Sequence, residues 1–158
     1  FRPLEVLVVD NASADGSPAA VEQAFPRVKV IRLAENAGFA RANNLGFRQA
    51  QAPLVLILNP DTEVRPGAID ALVAVLDARP LVCAAGPRTH NPDGSLQVSF
   101  GPDLTPLAEW RQRRLVRGAK RRTPRVQARL AQMTERAFEP GWLSGSCILA
   151  RREALLAV

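Results

Sequence analysis

An α/β fold with a mostly parallel sheet is predicted by three short apolar runs that alternate with amphipathic stretches, and by where two of those runs stop. Val6-Leu7-Val8-Val9 runs into Asp10-Asn11, and Leu54-Val55-Leu56-Ile57-Leu58 runs into Asn59-Pro60-Asp61-Thr62. Buried-strand composition that ends at an acid-bearing turn sets a carboxylate at the carboxyl end of a strand, where open α/β sheets bind ligands. The pattern predicts Asp10 and Asp61 on one rim of one sheet. One or two carboxylates beside a polyphosphate suffice for Mg²⁺, because the ion takes its other ligands from phosphate and water.

Each element follows from local chemistry. Residues 4–10 read as the first strand, and the turn after them feeds a short helix, with Ser17 a suitable N-cap and Pro18 a suitable first residue. Pro26 stops that helix and residues 28–33 form the second strand. A helix over 39–52 follows Asn36-Ala37-Gly38, with Phe39, Ala42, Leu45, Gly46 and Ala50 near helical spacing. Residues 54–58 are the third strand, and a helix over 66–78 carries the stripe Ile69, Leu72, Val73 and Leu76. The rhythm then breaks. Residues 82–87 read as a short strand, and Asn91-Pro92-Asp93-Gly94-Ser95 as a hairpin turn into a strand over 96–100. Pro102 and Pro106 mark a loop, and beyond it a broken helix is expected, with Gly118 and Pro124 as interruptions. Residues 142–151 read as a strand kinked at Gly145, and Arg152 opens a helix.

With 158 residues, 47% of them hydrophobic, the chain fits one globular domain with a real core. No apolar run approaches the roughly 20 residues of a membrane span, and residues 1–5 do not read as a signal peptide. Cys83 and Cys147, each among small apolar residues, are expected as buried free thiols in a reducing compartment. The lone His90 lies in a turn-like context and is expected as a solvated loop residue. Net charge is +6, yet Arg111, Arg113, Arg114, Arg117, Lys120, Arg121, Arg122, Arg125 and Arg129 alone contribute +9, leaving −3 for the rest. No acid falls between Arg111 and Thr134. Three readings of this segment stay open: a solvated insert; a contact with anionic membrane, with Leu107, Trp110, Leu115 and Val116 as its apolar face; and a nucleic-acid surface. Nucleic acid ranks last, because no recognisable binding motif is present and the only interleaved aromatic is Trp110.

The polar turns carry the candidate chemistry. Residues 10–17 serve either as a loop that caps a helix or as a nucleoside contact through Asp10 or Asn11. Asn43 and Asn44 are poor choices inside a helix unless their amides hold something. Asn59-Pro60-Asp61 is the least comfortable as scaffold, since a rim carboxylate on a buried sheet is expensive without a partner. Residues 142–146 are either a packed strand with a small-residue kink or part of a binding wall.

Five motifs in order resemble the family 2 glycosyltransferases, inverting enzymes of the GT-A fold that use nucleotide-diphosphate sugars. They are Val8-Val9-Asp10-Asn11-Ala12-Ser13-Ala14-Asp15-Gly16-Ser17; Asn36-Ala37-Gly38-Phe39-Ala40-Arg41-Ala42-Asn43-Asn44-Leu45-Gly46; Leu58-Asn59-Pro60-Asp61-Thr62; Asn91-Pro92-Asp93-Gly94-Ser95; and Trp142-Leu143-Ser144-Gly145-Ser146, with Arg151-Arg152-Glu153 behind. The chain is most similar to the rhamnosyltransferase-like branch, which builds bacterial surface polysaccharides.

The resemblance implies a Rossmann-like three-layer α/β/α sandwich with a nucleotide-sugar-binding half over 1–90 and an acceptor-side half over 91–158, the latter carrying a basic insert over 104–138. It implies that Asp10, Asn11, Ser13, Asn36, Gly38, Asn43 and Asn59 bind the nucleotide. Asp61 would be the carboxylate for Mg²⁺ or Mn²⁺, with Asn59 replacing the first acid of the family's Asp-x-Asp, and Trp142, Ser144 and Gly145 would line the sugar and acceptor side. The implied reaction transfers a sugar, with dTDP-rhamnose one donor it allows, to a saccharide or lipid-linked acceptor. The implied location is cytoplasmic and peripheral at the inner face of the cell membrane, with residues 111–129 toward anionic lipid. The family begins one strand earlier and carries its general base beyond the position of Val158, so the chain reads as an internal fragment expected to be inactive alone. A rival class is a non-catalytic nucleotide-sugar-binding or nucleic-acid-binding module.

Overall fold

The computed structural model describes residues 4–157; residues 1–3 and Val158, on which the opening segment and the end of the last helix were read, lie outside the described residues. The elements run β1 Leu7–Asp10, α1 Ser17–Ala24, β2 Lys29–Arg32, α2 Phe39–Gln49, β3 Leu54–Leu58, α3 Ala68–Ala78, β4 Ala84–Ala85, β5 Phe100–Gly101, α4 Pro106–Lys120, α5 Pro124–Met133, β6 Trp142–Leu143, β7 Cys147–Arg151 and α6 Arg152–Leu156. The α/β class holds, with strands in the sheets β1-β2, β3-β7-β4 and β5-β6. The chain forms two compact units, residues up to 55 with those from 150, and residues 56–149.

In the first unit β1 and β2 run parallel, with Leu7 opposite Lys29 and Asp10 opposite Arg32. Helix α2 buries Ala42 and Phe47 and lies over β1, where a Cβ on Gly46 would come 3.4 Å from Val9 Cγ2. The helix stops at Gln49, short of the expected residue 52, because Ala50 turns extended. Its last carbonyls take a cation: Arg152 donates from Nε to Phe47 O (3.3 Å) and from Nη2 to Arg48 O (3.4 Å). Ser17 is the first residue of α1 and not its N-cap. Gly16, at φ 79°, holds that position, a left-handed conformation that suits glycine.

The second unit packs its core around two stripes. Helix α3 buries Leu72, Val73 and Leu76, as its spacing predicts, after an N-cap at Gly67. Leu96, Phe100, Ala119 and Leu130 form the other cluster, joined by Val98, Leu115, Val126 and Leu143. Phe100 meets Phe138 edge-on at 4.9 Å. Two glutamines satisfy backbone groups beside this cluster. Buried Gln112 donates to Phe100 O (2.7 Å), and Gln127 both accepts from Leu96 N–H (2.7 Å) and donates to Leu96 O (3.2 Å).

Several expectations change here. Gly118 does not interrupt the basic helix but lies within α4, where a Cβ would sit 2.6 Å from Val126 Cγ2 of α5, so its smallness permits close helix packing. The break falls at residues 121–123, with Arg122 at φ 53° and its guanidinium 2.7 Å from Asp93. The expected strand over 142–151 is two strands, β6 and β7, separated by a turn at 144–146. The strands expected over 82–87 and 96–100 shrink to β4 and β5, which pair with β7 and β6 and not with each other; across the 91–95 turn His90 bridges Leu96 and Gln97 N–H donates to Thr89 O (3.0 Å). His90 is half-buried at the base of that turn, its Nδ1 3.1 Å from Gly94 O, and not fully solvated. Both cysteines are free as expected, yet only Cys147 is buried, and burial pushes its thiol upward in pKa. Cys83 is exposed, in the short irregular approach to β4.

Leu130 is fully buried and Leu107 is 58% exposed. Leu130→Ala should therefore lower unfolding free energy by about 2–5 kcal/mol in urea titrations, against about 0.5 kcal/mol or less for Leu107→Ala. Equal effects would mean that the core is not where the burial places it.

Candidate functional site

Because β1 and β2 are parallel and in register, the loops that follow them leave from the same end of the pair. Asn11 links them. Its Nδ2 donates to Asn36 Oδ1 (2.9 Å), and its Oδ1 accepts the Ala37 N–H (2.8 Å). Asn36 Oδ1 also accepts the Gly38 N–H (2.9 Å). Gly38 stands at φ 79° and ψ 166°, a region essentially reserved for glycine, and caps α2. Asp10 is half-buried and accepts the Ser13 N–H at Oδ1 (3.2 Å). Five of the residues expected at the nucleotide thus gather in one loop cluster: Asp10, Asn11, Ser13, Asn36 and Gly38.

Asp15 completes this cluster. Its Oδ1 accepts both the Ser17 hydroxyl (2.6 Å) and the Ser17 N–H (3.0 Å), so it satisfies the first backbone donor of α1 while Gly16 holds the N-cap position. Those bonds, the hydroxyl first, hold the exposed Asp15 carboxyl below its ordinary pKa. Asn43 is spoken for locally: its Nδ2 donates to Phe39 O one turn back (2.8 Å). That bond answers the sequence objection to an asparagine in mid-helix without any ligand. A surface hollow of about 470 Å³ lies beside α2, lined by Leu33, Arg41, Asn44, Leu45 and Arg48. None of the residues expected at the nucleotide lines it, so its size alone does not mark the site.

In the second unit the chain leaves β3 through Asn59, whose N–H donates to Ser146 O (2.9 Å), and Thr62 N–H closes the turn onto Asn59 O (3.1 Å). Asp61 sits on that turn and is exposed; among the described residues it takes no hydrogen bond or ion pair. The cost argued for a rim carboxylate on a buried sheet therefore does not arise, since water solvates this one. Strand β3 itself is half-buried, not fully enclosed. Across from it, the 144–146 turn is held by Ser144 N–H on Ser99 O (2.8 Å) and by a Ser144–Ser146 hydroxyl contact (3.2 Å). Trp142 is half-buried opposite Gly101, where any Cβ would overlap its indole ring. Gly145 lies in the turn and not in a kinked strand.

Asp10 ends a strand of the β1-β2 sheet, whereas Asp61 follows β3 in the β3-β7-β4 sheet. The two acids thus follow strands of different sheets and not of the one sheet expected. Among the described residues no group of three or more His, Cys, Asp or Glu side chains is arranged to hold an ion. Sequence reasoning placed Ser146 in the 142–146 motif but did not foresee that its carbonyl ties the Asp61 turn to the 144–146 turn. The only available signal was a serine on either side of Gly145. The Asn-Pro-Asp-Gly-Ser hairpin satisfies itself, with Asp93 Oδ1 taking the Ser95 hydroxyl (2.7 Å) and N–H (3.0 Å). Those bonds, and secondarily Arg122, hold Asp93 below its ordinary pKa.

An α/β chain with polar, glycine-bearing loops after parallel strands and an exposed acid after a third strand belongs among ligand-binding α/β proteins. The Glycosyl transferase family 2 model matches residues 1–156, and the chain belongs to that family. It is 34% identical over 165 residues to the N-acetylglucosaminyl-diphospho-decaprenol L-rhamnosyltransferase of Mycobacterium tuberculosis strain H37Rv, covering 97% of this chain and 53% of the relative. It is 38% identical over 76 residues to the succinoglycan biosynthesis protein ExoO of Rhizobium meliloti, covering 48% and 22% respectively. The chain thus spans about half the length of the mycobacterial relative it matches. A solved structure, the mannosyltransferase PcManGT from Pyrobaculum calidifontis in complex with GDP-Man and Mn²⁺, is similar with a TM-score of 0.48 and 32% identity, covering 57% of this chain and 27% of that one.

Two measurements check the loop cluster. Asn11→Ala strips a partner from Ala37 N–H and from Asn36, and should cost about 1–3 kcal/mol in urea unfolding; a change below about 0.5 kcal/mol would show that the link carries no stability. Asp15 should titrate below the ordinary carboxylate value by NMR and move back toward it in Ser17→Ala, which removes the hydroxyl bond and keeps the N–H bond. A depressed folded pKa means that the stabilising contribution stands above the unfolded carboxylate value and is lost as pH falls through the lower folded one. The first turn of α1 should therefore loosen only in that acidic window.

Proposed function

We propose that this chain is part of an enzyme that transfers a sugar, with inversion, from a nucleoside-diphosphate sugar to a saccharide or lipid-linked acceptor in bacterial surface polysaccharide synthesis. Family membership supports the reaction class. One structural observation carries the residue assignment: the Asn59 N–H bond to Ser146 O holds the Asp61 turn beside the 144–146 turn. An acid for the donor diphosphate and small polar residues for a sugar then share one unit. The relative's printed name supports L-rhamnose as the transferred sugar and a lipid-diphosphate-linked acceptor, and dTDP-rhamnose is the donor that the motif resemblance allows.

In this reading Asp10, Asn11, Ser13, Asn36 and Gly38 meet the nucleoside, and Asn43 and Asn59 are further nucleotide contacts. Asn11 positions the 36–38 loop, since both ends of its amide are engaged there. Residues 1–90 form the donor half and residues 91–158 the acceptor half, in a GT-A arrangement. Asp61 would hold Mg²⁺ or Mn²⁺. A single exposed carboxylate fits an ion that takes most of its ligands from diphosphate and water. When bound, such an ion neutralises charge on the leaving diphosphate. Trp142, Ser144 and Gly145 shape the sugar and acceptor side, where Ser144 presents a hydroxyl and Gly145 leaves room. Among the described residues no helix is long and apolar enough to cross a membrane. The basic stretch 111–129 supports a peripheral, inner-face position for the enzyme.

Asp61→Ala tests the metal assignment. The side chain is exposed, so thermal unfolding should shift little, while calorimetric binding of a nucleoside diphosphate with Mn²⁺ should weaken at least about tenfold. Equal affinity for variant and parent would overturn the role of Asp61. Metal-dependent nucleotide binding without any turnover in the full-length enzyme would favour a binding module instead.

A further inference from the structure

Helix α4 has two faces of opposite character. Gln112 and Ala119 are buried, and Leu115 packs against the Leu96-Phe100-Leu130 cluster. Val116 is half-buried beside Leu96 and Ala119 in a second hollow. Leu115 and Val116, expected to join an exposed apolar face, are therefore turned inward. The outer face is occupied by Leu107, Trp110, Arg114, Arg117 and Arg121, all exposed. At about 100° per residue these five positions fall within an arc of about 80°. Leu104, in the loop before the helix, is exposed as well.

Exposure at the apolar end is high: 83% for Leu104, 58% for Leu107 and 55% for Trp110. Single exposed apolar residues are ordinary, but three at one end of a stripe that continues as arginines are not. Arg114 lies over the Trp110 ring at 4.9 Å, coupling the two ends. Glu109, the acid in the first turn of α4, is paired with Arg113 at 2.9 Å, so it does not offset the unpaired cations of the stripe.

We infer that this outer face of α4 is a docking surface for an anionic lipid bilayer, with Leu104, Leu107 and Trp110 entering the headgroup boundary and Arg114, Arg117 and Arg121 lying on its charged surface. The inference rests on the reading that residues 111–129 meet anionic lipid, and adds which side chains insert. Charge complementarity commits the surface to lipid: the stretch carries nine cations and no acid. An amphipathic helix in a membrane interface needs an apolar edge, a cationic edge and preferably a tryptophan at headgroup depth. Nucleic acid would use the arginines alone and leave two leucines in water. Trp110 offers it a poor stacking platform, because Arg114 already covers one ring face.

Co-sedimentation of the 158-residue chain with phosphatidylcholine vesicles, with and without phosphatidylglycerol, tests this. Binding is expected only to the anionic vesicles, weakening with salt. Leu107→Gln with Trp110→Gln should reduce the partition coefficient at least about tenfold, and Arg117→Gln with Arg121→Gln by a similar factor. Tryptophan emission should shift blue on anionic vesicles in the parent chain and not in Trp110→Gln. If the apolar variants bind like the parent while the arginine variants do not, insertion is refuted and the charge reading stands. If the parent ignores anionic vesicles, or binds duplex DNA tightly at physiological salt in their place, both fail.

Discussion

The bond from Asn59 N–H to Ser146 O is the constraint on which the candidate site of the second unit depends. It joins a turn at the end of β3 to a turn between β6 and β7, far apart in sequence. Without it Asp61 is an isolated surface acid. With it the turn that carries Asp61 is tied to the 144–146 turn, where the Ser144 and Ser146 hydroxyls are in mutual contact. A backbone bond is a suitable device, because it fixes the approach of the turns while leaving the carboxylate and the hydroxyls to solvent or ligand.

The first unit solves a similar problem with a side chain. Asn11 spends both ends of its amide on the 36–37 loop, and Asn36 in turn holds Gly38 at the start of α2. A loop held from its neighbour is preorganised, which lowers the ordering entropy that a ligand must otherwise offset. The alternatives of capping loop and binding loop are therefore not exclusive. Asp15 and Asn11 keep the shape, and Asp10 holds the Ser13 N–H between them.

In the helical part, glutamines and glycines do what a larger core does elsewhere. Gln112 and Gln127 satisfy backbone groups of the strand region around Leu96 and Phe100. Gly118 and Gly101 allow close approach of Val126 and Trp142. With its inner face committed in this way, α4 has no freedom to present Leu115 or Val116 outward. The exposed stripe is consequently narrow and graded, from apolar to cationic.

Sequence alone determined which segments are helix or strand in the first half, the buried stripe of α3, the turn at 91–95, the basic stretch and the polar turns after β1 and β3. Each of these depends on neighbours within a few positions: periodicity, a proline, a glycine or a run of β-branched residues. Tertiary structure decided what depends on distant partners. It split the residue 142–151 strand, exposed Cys83, removed the expected helix interruption at Gly118 while leaving the one before Pro124, and put Gly16 at the N-cap of α1 in place of Ser17. It also chose which of two apolar edges of α4 to bury, since a period of 3.6 names a stripe but not the surface that will cover it. The bond of Ser146 to Asn59 was illegible for the same reason: a carbonyl's partner is set by what folds against it, and nothing in its own neighbourhood records Asn59.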